Sequence, residues 1–304
     1  MLRLWSSARY VFPLPADHRF PIEKYARLRE RVVEEGLVAP ECVHEPARAP
    51  LETLRLVHTA DYVDRFFNGR LSSAELRHLG FPWSSALVER SQRAVGGTIE
   101  AARAALEDGI AMNLAGGTHH AFADHGEGFC VFNDVAVATR ILQREGRVRR
   151  VAIVDLDVHQ GNGTNAIFAG DVDVFTFSMH GGRNYPFRKV AGSLDVELAD
   201  GAGDDEYLSL LDDVLPRVLT RAEPDFVFYL AGADPHEGDR LGRLRLTFDG
   251  LARRDAMVID RCREVGIPIA ITIAGGYGRD VADTVRIHLQ TVRVASGARM
   301  PHGA

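Results

Sequence analysis

The chain has 304 residues, 46% of them hydrophobic and 26% charged, with a formal net charge of −6. That is the balance of an ordinary globular protein long enough to bury a large core. The charge leaves no basic footprint of the kind nucleic acid requires, and no stretch approaches the length of a membrane span, so neither partner is expected. Among 36 basic residues only Lys24 and Lys189 are lysines, an arginine bias that we read as codon usage in a GC-rich genome and not as a binding surface. Cys42, Cys130 and Cys262 are an odd number without metal-type spacing, which implies no disulfide framework. With no sustained apolar segment near the N-terminus, the expected setting is the reducing cytoplasm.

In chain order, the first 90 residues read as mainly helix and loop, with helical stretches over 22–36 and 58–69. Residues 91–109 place Val95, Ile99, Ala102 and Leu106 on one stripe of a helix. Apolar runs over 110–117, 151–157, 172–180, 226–234 and 267–278 predict buried strands. Between them, 205–222 and 249–266 predict helices that begin at acidic residues, and Pro216 should kink or interrupt the first. Strands alternating with helices predict one α/β domain over 1–304, with a parallel sheet covered on both faces.

Every unusual polar cluster falls just after one of these runs. "GGTHH" (116–120), "DVHQGNG" (157–163), "MHGG" (179–182), "GADPHEGD" (232–239) and "GGYG" (275–278) would converge beyond the carboxyl ends of five strands, where open α/β sheets bind ligands. In "VDLDVH" the strand alternation would send Asp155, Asp157 and His159 to one face. Asp157 and His159, closed by Asp234, form a candidate set of three ligands with an open position, as in catalytic zinc sites. Two carboxylates and an imidazole would also suit Fe(II), Co(II) or Mn(II), and loop polarity or helix capping would explain the same run without a metal. The adjacent His119 and His120 could work in two protonation states, one as a base and one as a charged stabiliser. Tyr277, after paired glycines, could donate to an oxyanion. Gly128, Phe129 and Cys130 stand at the start of a helix-like segment, 127–134.

Together these motifs resemble the zinc-dependent histone deacetylase family, including bacterial deacetylase-like amidohydrolases, and look most like its class IV-type branch. "VHTADYVDRF", "GGTHHAFADHGEGFCVFND", "VDLDVHQGNG", "FSMHGG", "AGADPHEGDRLGRLRLT" and "AGGYG" stand in the family's order over essentially the whole chain. The resemblance implies an arginase/deacetylase-like three-layer α/β fold, with a central, mostly parallel eight-stranded sheet flanked by helices. It implies removal of acetyl or longer acyl groups from an acylated lysine peptide or protein, or from a small N-acyl amine. It places one Zn2+ on Asp157, His159 and Asp234, and catalysis on His119, His120 (the general base), Tyr277 and Asp155. A structural K+ would involve Asp155 and Ser178, and the substrate tunnel Gly128, Phe129, Tyr185, Gly275 and Gly276. Some relatives carry Asp where Asn162 stands. The neutral amide would orient His120 without raising its pKa, leaving it the less basic histidine.

Three other readings share parts of this pattern: an acetylpolyamine deacetylase, a binuclear manganese ureohydrolase and a non-catalytic acyl-binding scaffold. The ureohydrolases look for Asp-Ala-His-x-Asp, whereas Val158 and Gln160 flank His159 here. Retention of Tyr277, both histidines and all three ligands speaks against the scaffold.

Overall fold

The computed structural model describes residues 2–297; Met1 and residues 298–304 of the expected 1–304 domain lie outside the described residues. Eight strands form one sheet: β1 (Arg3–Trp5), β2 (Val43–His44), β3 (Ile110–Asn113), β4 (Val151–Asp155), β5 (Val174–Gly181), β6 (Leu194–Leu198), β7 (Phe226–Leu230) and β8 (Ile269–Thr272). Their order is β2-β1-β3-β8-β7-β4-β5-β6, and every pairing is parallel.

The helices are α1 (Lys24–Glu34), α2 (Leu51–Leu54), α3 (Ala60–Phe67), α4 (Ser73–Leu79), α5 (Ser85–Asp108), α6 (Asp134–Arg144), α7 (Asn162–Ile167), α8 (Asp204–Ala222), α9 (Phe248–Glu264) and α10 (Val281–Ser296). Helix α5 packs on β1, β3, β8 and α6, while α1, α10, α9 and α8 form a second packed series that reaches β4 and β5. This is the three-layer α/β architecture. Among the described residues no helix is long and apolar enough to cross a membrane.

The five expected strands are the five adjacent central ones, β3-β8-β7-β4-β5. Strands β4 and β7 are buried throughout, which is why they stand out as unbroken apolar runs. The three that pattern reading misses lie at the sheet's margins: β1 and β2 have only three and two residues, and β6 is largely half-buried. The first 90 residues therefore carry two strands besides their helices.

Pro216 does not interrupt α8, which runs unbroken from Asp204 to Ala222. Buried Val214, Leu215, Val218 and Leu219 on both sides of the proline hold the helix through the missing N–H. The segment 127–134 is loop almost to its end, because Asn133 caps α6 by accepting the Ala136 N–H.

Candidate active site

The carboxyl ends of the central strands meet as expected, but the strand geometry at β4 differs. Strand β4 ends at Asp155, so Asp157 and His159 lie in the following loop and not on a shared strand face. The loop keeps them together by local hydrogen bonds: Asp155 Oδ1 accepts the Asp157 N–H (3.1 Å), and Asp157 Oδ1 accepts the His159 N–H (2.9 Å). Such Asx turns replace the ladder that the strand has left.

Asp157, His159 and Asp234 converge, with one donor atom from each lying within 4.8 Å of the others. His159 Nδ1 is 3.0 Å from Asp157 Oδ1 and 3.2 Å from Asp234 Oδ2. The remaining carboxylate oxygens are fixed by backbone: Asp157 Oδ2 accepts the Gly275 N–H (2.7 Å), and Asp234 Oδ1 accepts the Val158 N–H (2.9 Å). Asp157 is thus held by backbone N–H groups at both oxygens, and Asp234 at one, with its Oδ2 turned to His159. Both are buried, and among the described residues neither pairs with a lysine or arginine. Burial and the charge of Asp157 push Asp234 up to about 7. Burial opposes a charge on His159, yet Asp157 and Asp234 outweigh it and raise the imidazole to about 10. The cluster calls for positive charge, which a cation would satisfy.

The tandem histidines stand beside this cluster, their ring centroids 4.1 Å apart. Their loop is held from behind by Asp134, whose carboxylate accepts from Thr98 Oγ1 (2.6 Å), Gly117 N–H (3.1 Å) and Thr118 N–H (2.8 Å). Gly117 has φ +65°, and a Cβ there would lie 2.4 Å from Ala274 Cα, so the two loops touch through bare backbone. His119 Nδ1 lies 2.6 Å from Asp155 Oδ2, and His120 Nδ1 lies 2.7 Å from Asn162 Oδ1. Burial works against charge on His119, but Asp155 and Asp157 outweigh it and lift the imidazole to about 9. His120 is driven well below the usual histidine range, first by burial and then by the charges of His119 and His159. It is the less basic of the two, but because of burial and its charged neighbours; the Asn162 hydrogen bond, expected to leave its basicity unchanged, works in the raising direction. Ser178 on β5 is the register partner of Asp155, so these two also meet, and Ser178 Oγ lies 2.9 Å from His180 Nδ1.

Tyr277 is fixed at both ends of its backbone: its N–H donates to Asp239 Oδ2 (2.6 Å), and its carbonyl accepts from Arg240 Nε (3.0 Å). Its ring lies 6.2 Å from that of His159 and 5.9 Å from that of Phe129. Burial, with Asp157 and Asp234 nearby, holds the phenol well above its usual range, so it stays a proton donor. A cavity of about 390 Å3 leads from the surface to His120, His159 and Tyr277, with Gly128, Phe129 and Tyr185 in its wall. Gly275 lines the inner end. Gly276 does not. A side chain there would point at Thr284 and Ala233, and its carbonyl accepts from Lys24 Nζ (3.4 Å). A roomier groove of about 780 Å3 between α8 and α9 shares no residue with this site.

The histone deacetylase domain model matches residues 18–292. This chain belongs to the histone deacetylase family. It is 34% identical to histone deacetylase 2 of Arabidopsis thaliana, over 88% of this chain and 73% of that protein. It is 31% identical to the histone deacetylase-like amidohydrolase of Pseudomonas aeruginosa, over 87% and 74%. A protein of Picosynechococcus is 47% identical over 94% and 95%. In structure it is similar to an HDAC homologue from Aquifex aeolicus, with a TM-score of 0.86, 25% identity, and coverage of 99% of this chain and 85% of that one. Membership of this family of deacetylases and amidohydrolases sets aside the manganese ureohydrolase reading.

Several supports of this deacetylase-family site escape sequence reasoning. Lys24, on α1, is buried; its Nζ donates to the carbonyls of Ala274 (3.3 Å) and Gly276 and sits over the Tyr277 ring (5.7 Å). Arg254, on α9, is fully buried and donates to the Gly232 carbonyl (2.6 Å), bracing the loop that carries Asp234. The only available signal is chemical, a charged residue on the apolar stripe of each helix. Gly128, expected in the tunnel wall, also bears on the base, because a Cβ at its φ of +56° would meet His120 Cδ2 at 2.6 Å. Gly128→Ala should therefore lower kcat/KM by about 100-fold, the scale of a one-ångström misplacement. Steady-state kinetics beside a thermal melt would check it, the melt showing that the fold survives.

Proposed function

We propose that the chain is a zinc-dependent hydrolase that removes acetyl or longer acyl groups from N-acyl-lysine or a related N-acyl amine. The observation that carries this reading is the convergence of His159 Nδ1 with one oxygen each of Asp157 and Asp234 at the foot of a cleft walled by two histidines and a tyrosine. Asp157, His159 and Asp234 would hold the ion, and two buried carboxylates with no lysine or arginine beside them suit a divalent cation. Zinc supplies Lewis-acid activation of a water and polarisation of the scissile carbonyl when bound.

The chain's own groups do the rest. With Nδ1–H of His120 donating to Asn162 Oδ1, its Nε2 is free to take the proton of the attacking water. His119 stays charged beside Asp155 and stabilises the negative charge that develops. The Tyr277 hydroxyl donates to the carbonyl oxygen as it becomes an oxyanion, and the histidine pair returns a proton to the leaving amine. Gly128, Phe129 and Tyr185 enclose the methylenes of the acylated side chain. Asp155 and Ser178, cross-strand partners in the sheet, would contribute to holding a structural potassium ion.

The decisive experiment measures metal content of purified protein, then turnover of peptides bearing acetyl to long-chain acyl-lysine. We expect about one zinc per chain, activity lost to a chelator and restored by zinc. Fully loaded protein that hydrolysed no acyl-lysine and no acyl amine would leave only the scaffold. The pH profile is a second check. His120 must be neutral to act, so activity rises with pH through its depressed pKa, and the acidic limb of kcat/KM should lie below 6.5. A limb well above that value would remove His120 as the base.

A further inference from the structure

The cavity leading to the site has Arg19, Arg77, Arg183 and Arg243 in its wall and no carboxylate. All four arginines are exposed, and they come from four separate segments: the loop before α1, helix α4, the loop after β5 and the β7–α9 connection. Arg183 and Arg243 share one counter-ion, Asp200, at 3.7 and 3.1 Å. Among the described residues no carboxylate pairs with Arg19 or Arg77. Other exposed arginines, such as Arg29, Arg70 and Arg253, likewise have no carboxylate partner among the described residues, so what sets the opening apart is the gathering of four guanidiniums on one cavity wall that holds no carboxylate. The opening is therefore an island of excess positive charge on a chain whose net charge is −6. Guanidinium groups hold their charge at any working pH, so this field does not titrate away.

From this we propose that the preferred substrate is an acylated lysine within an acidic polypeptide segment, with aspartate or glutamate on both sides of the modified residue. The inference rests on the deacylase reading above. The arginines ring the opening instead of meeting at one point, which suits carboxylates spread along a chain better than one compact anion. Phe187, 87% exposed beside Tyr185, adds an apolar surface over which such a segment can lie. The same field repels polyamines and lysine-rich tails, which disfavours acetylpolyamines as substrates. The arginine bias of the sequence thus includes a binding surface after all.

The test uses three peptides with the same acyl-lysine, flanked by glutamate, glutamine or lysine, on the zinc-loaded enzyme. At low salt kcat/KM should fall in that order, by about tenfold per step, and the spread should shrink as salt shortens the screening length. In the double variant Arg19→Glu/Arg77→Glu the glutamate-to-lysine ratio should collapse or invert, while a thermal melt reports on folding. A flat series, or a preference untouched by charge reversal in a folded variant, overturns the inference and leaves deacylation standing. Failure on all three peptides, the neutral one included, overturns both.

Discussion

Asp234→Asn is expected to yield folded protein that no longer retains metal and no longer turns over substrate. The asparagine oxygen can still accept the Val158 N–H that Asp234 Oδ1 accepts at 2.9 Å, so the loop keeps its backbone anchor. What disappears is the charge that Asp234 presents beside His159 Nδ1. Alanine at the same place also orphans the Val158 N–H, at a cost of about 1–3 kcal/mol, and should lower the melting temperature as well. Asp155→Asn is the matched contrast. Asp155 Oδ2 faces His119 and not the ligand cluster, so metal should stay near one per chain while kcat falls by about 10–100-fold, as for a residue that positions others. Metal analysis after dialysis against a chelator, run on all three variants, reads the outcome directly. Metal retained by Asp234→Asn, or lost from Asp155→Asn, would show that the ligands have been assigned to the wrong aspartates.

The aspartates were readable in the sequence because their chemistry is anomalous: two acids and an imidazole immediately after an apolar run have little use in a core. Their exact placement was not, because β4 stops at Asp155 and hydrogen-bonded turns take over, which the alternation rule does not anticipate. The central strands were legible for the same reason as the acids, since strands buried on both faces become unbroken apolar runs. Strands β1, β2 and β6 are too short or too exposed to leave that trace. The supports behind the site were hidden by distance along the chain. Lys24 reaches carbonyls some 250 positions later. Arg254 and the equally buried Asp255 stand on the apolar stripe of α9, which marks them as buried charges but does not say that Arg254 braces the Gly232 carbonyl. Gly276 misleads in the opposite way, because its motif points to the cavity while its backbone turns inward against Thr284.

Tyr277→Phe should cost about 100- to 1000-fold in kcat, or about 2.7–4 kcal/mol of transition-state stabilisation, the effect of deleting one oxyanion donor. The residue's position does not depend on its hydroxyl. Asp239 holds its N–H, Arg240 holds its carbonyl, and Phe20, Phe129 and Lys24 hold its ring, so phenylalanine should occupy the same place. The variant therefore removes a single O–H from the cleft. Because that O–H acts on charge absent from the ground state, kcat and kcat/KM should fall together, with metal content unchanged. A rise in KM at constant kcat would instead make Tyr277 a substrate-binding group. Full activity would pass the oxyanion to other donors, and the neutral phenol that burial and two carboxylates maintain would then have no role in the reaction.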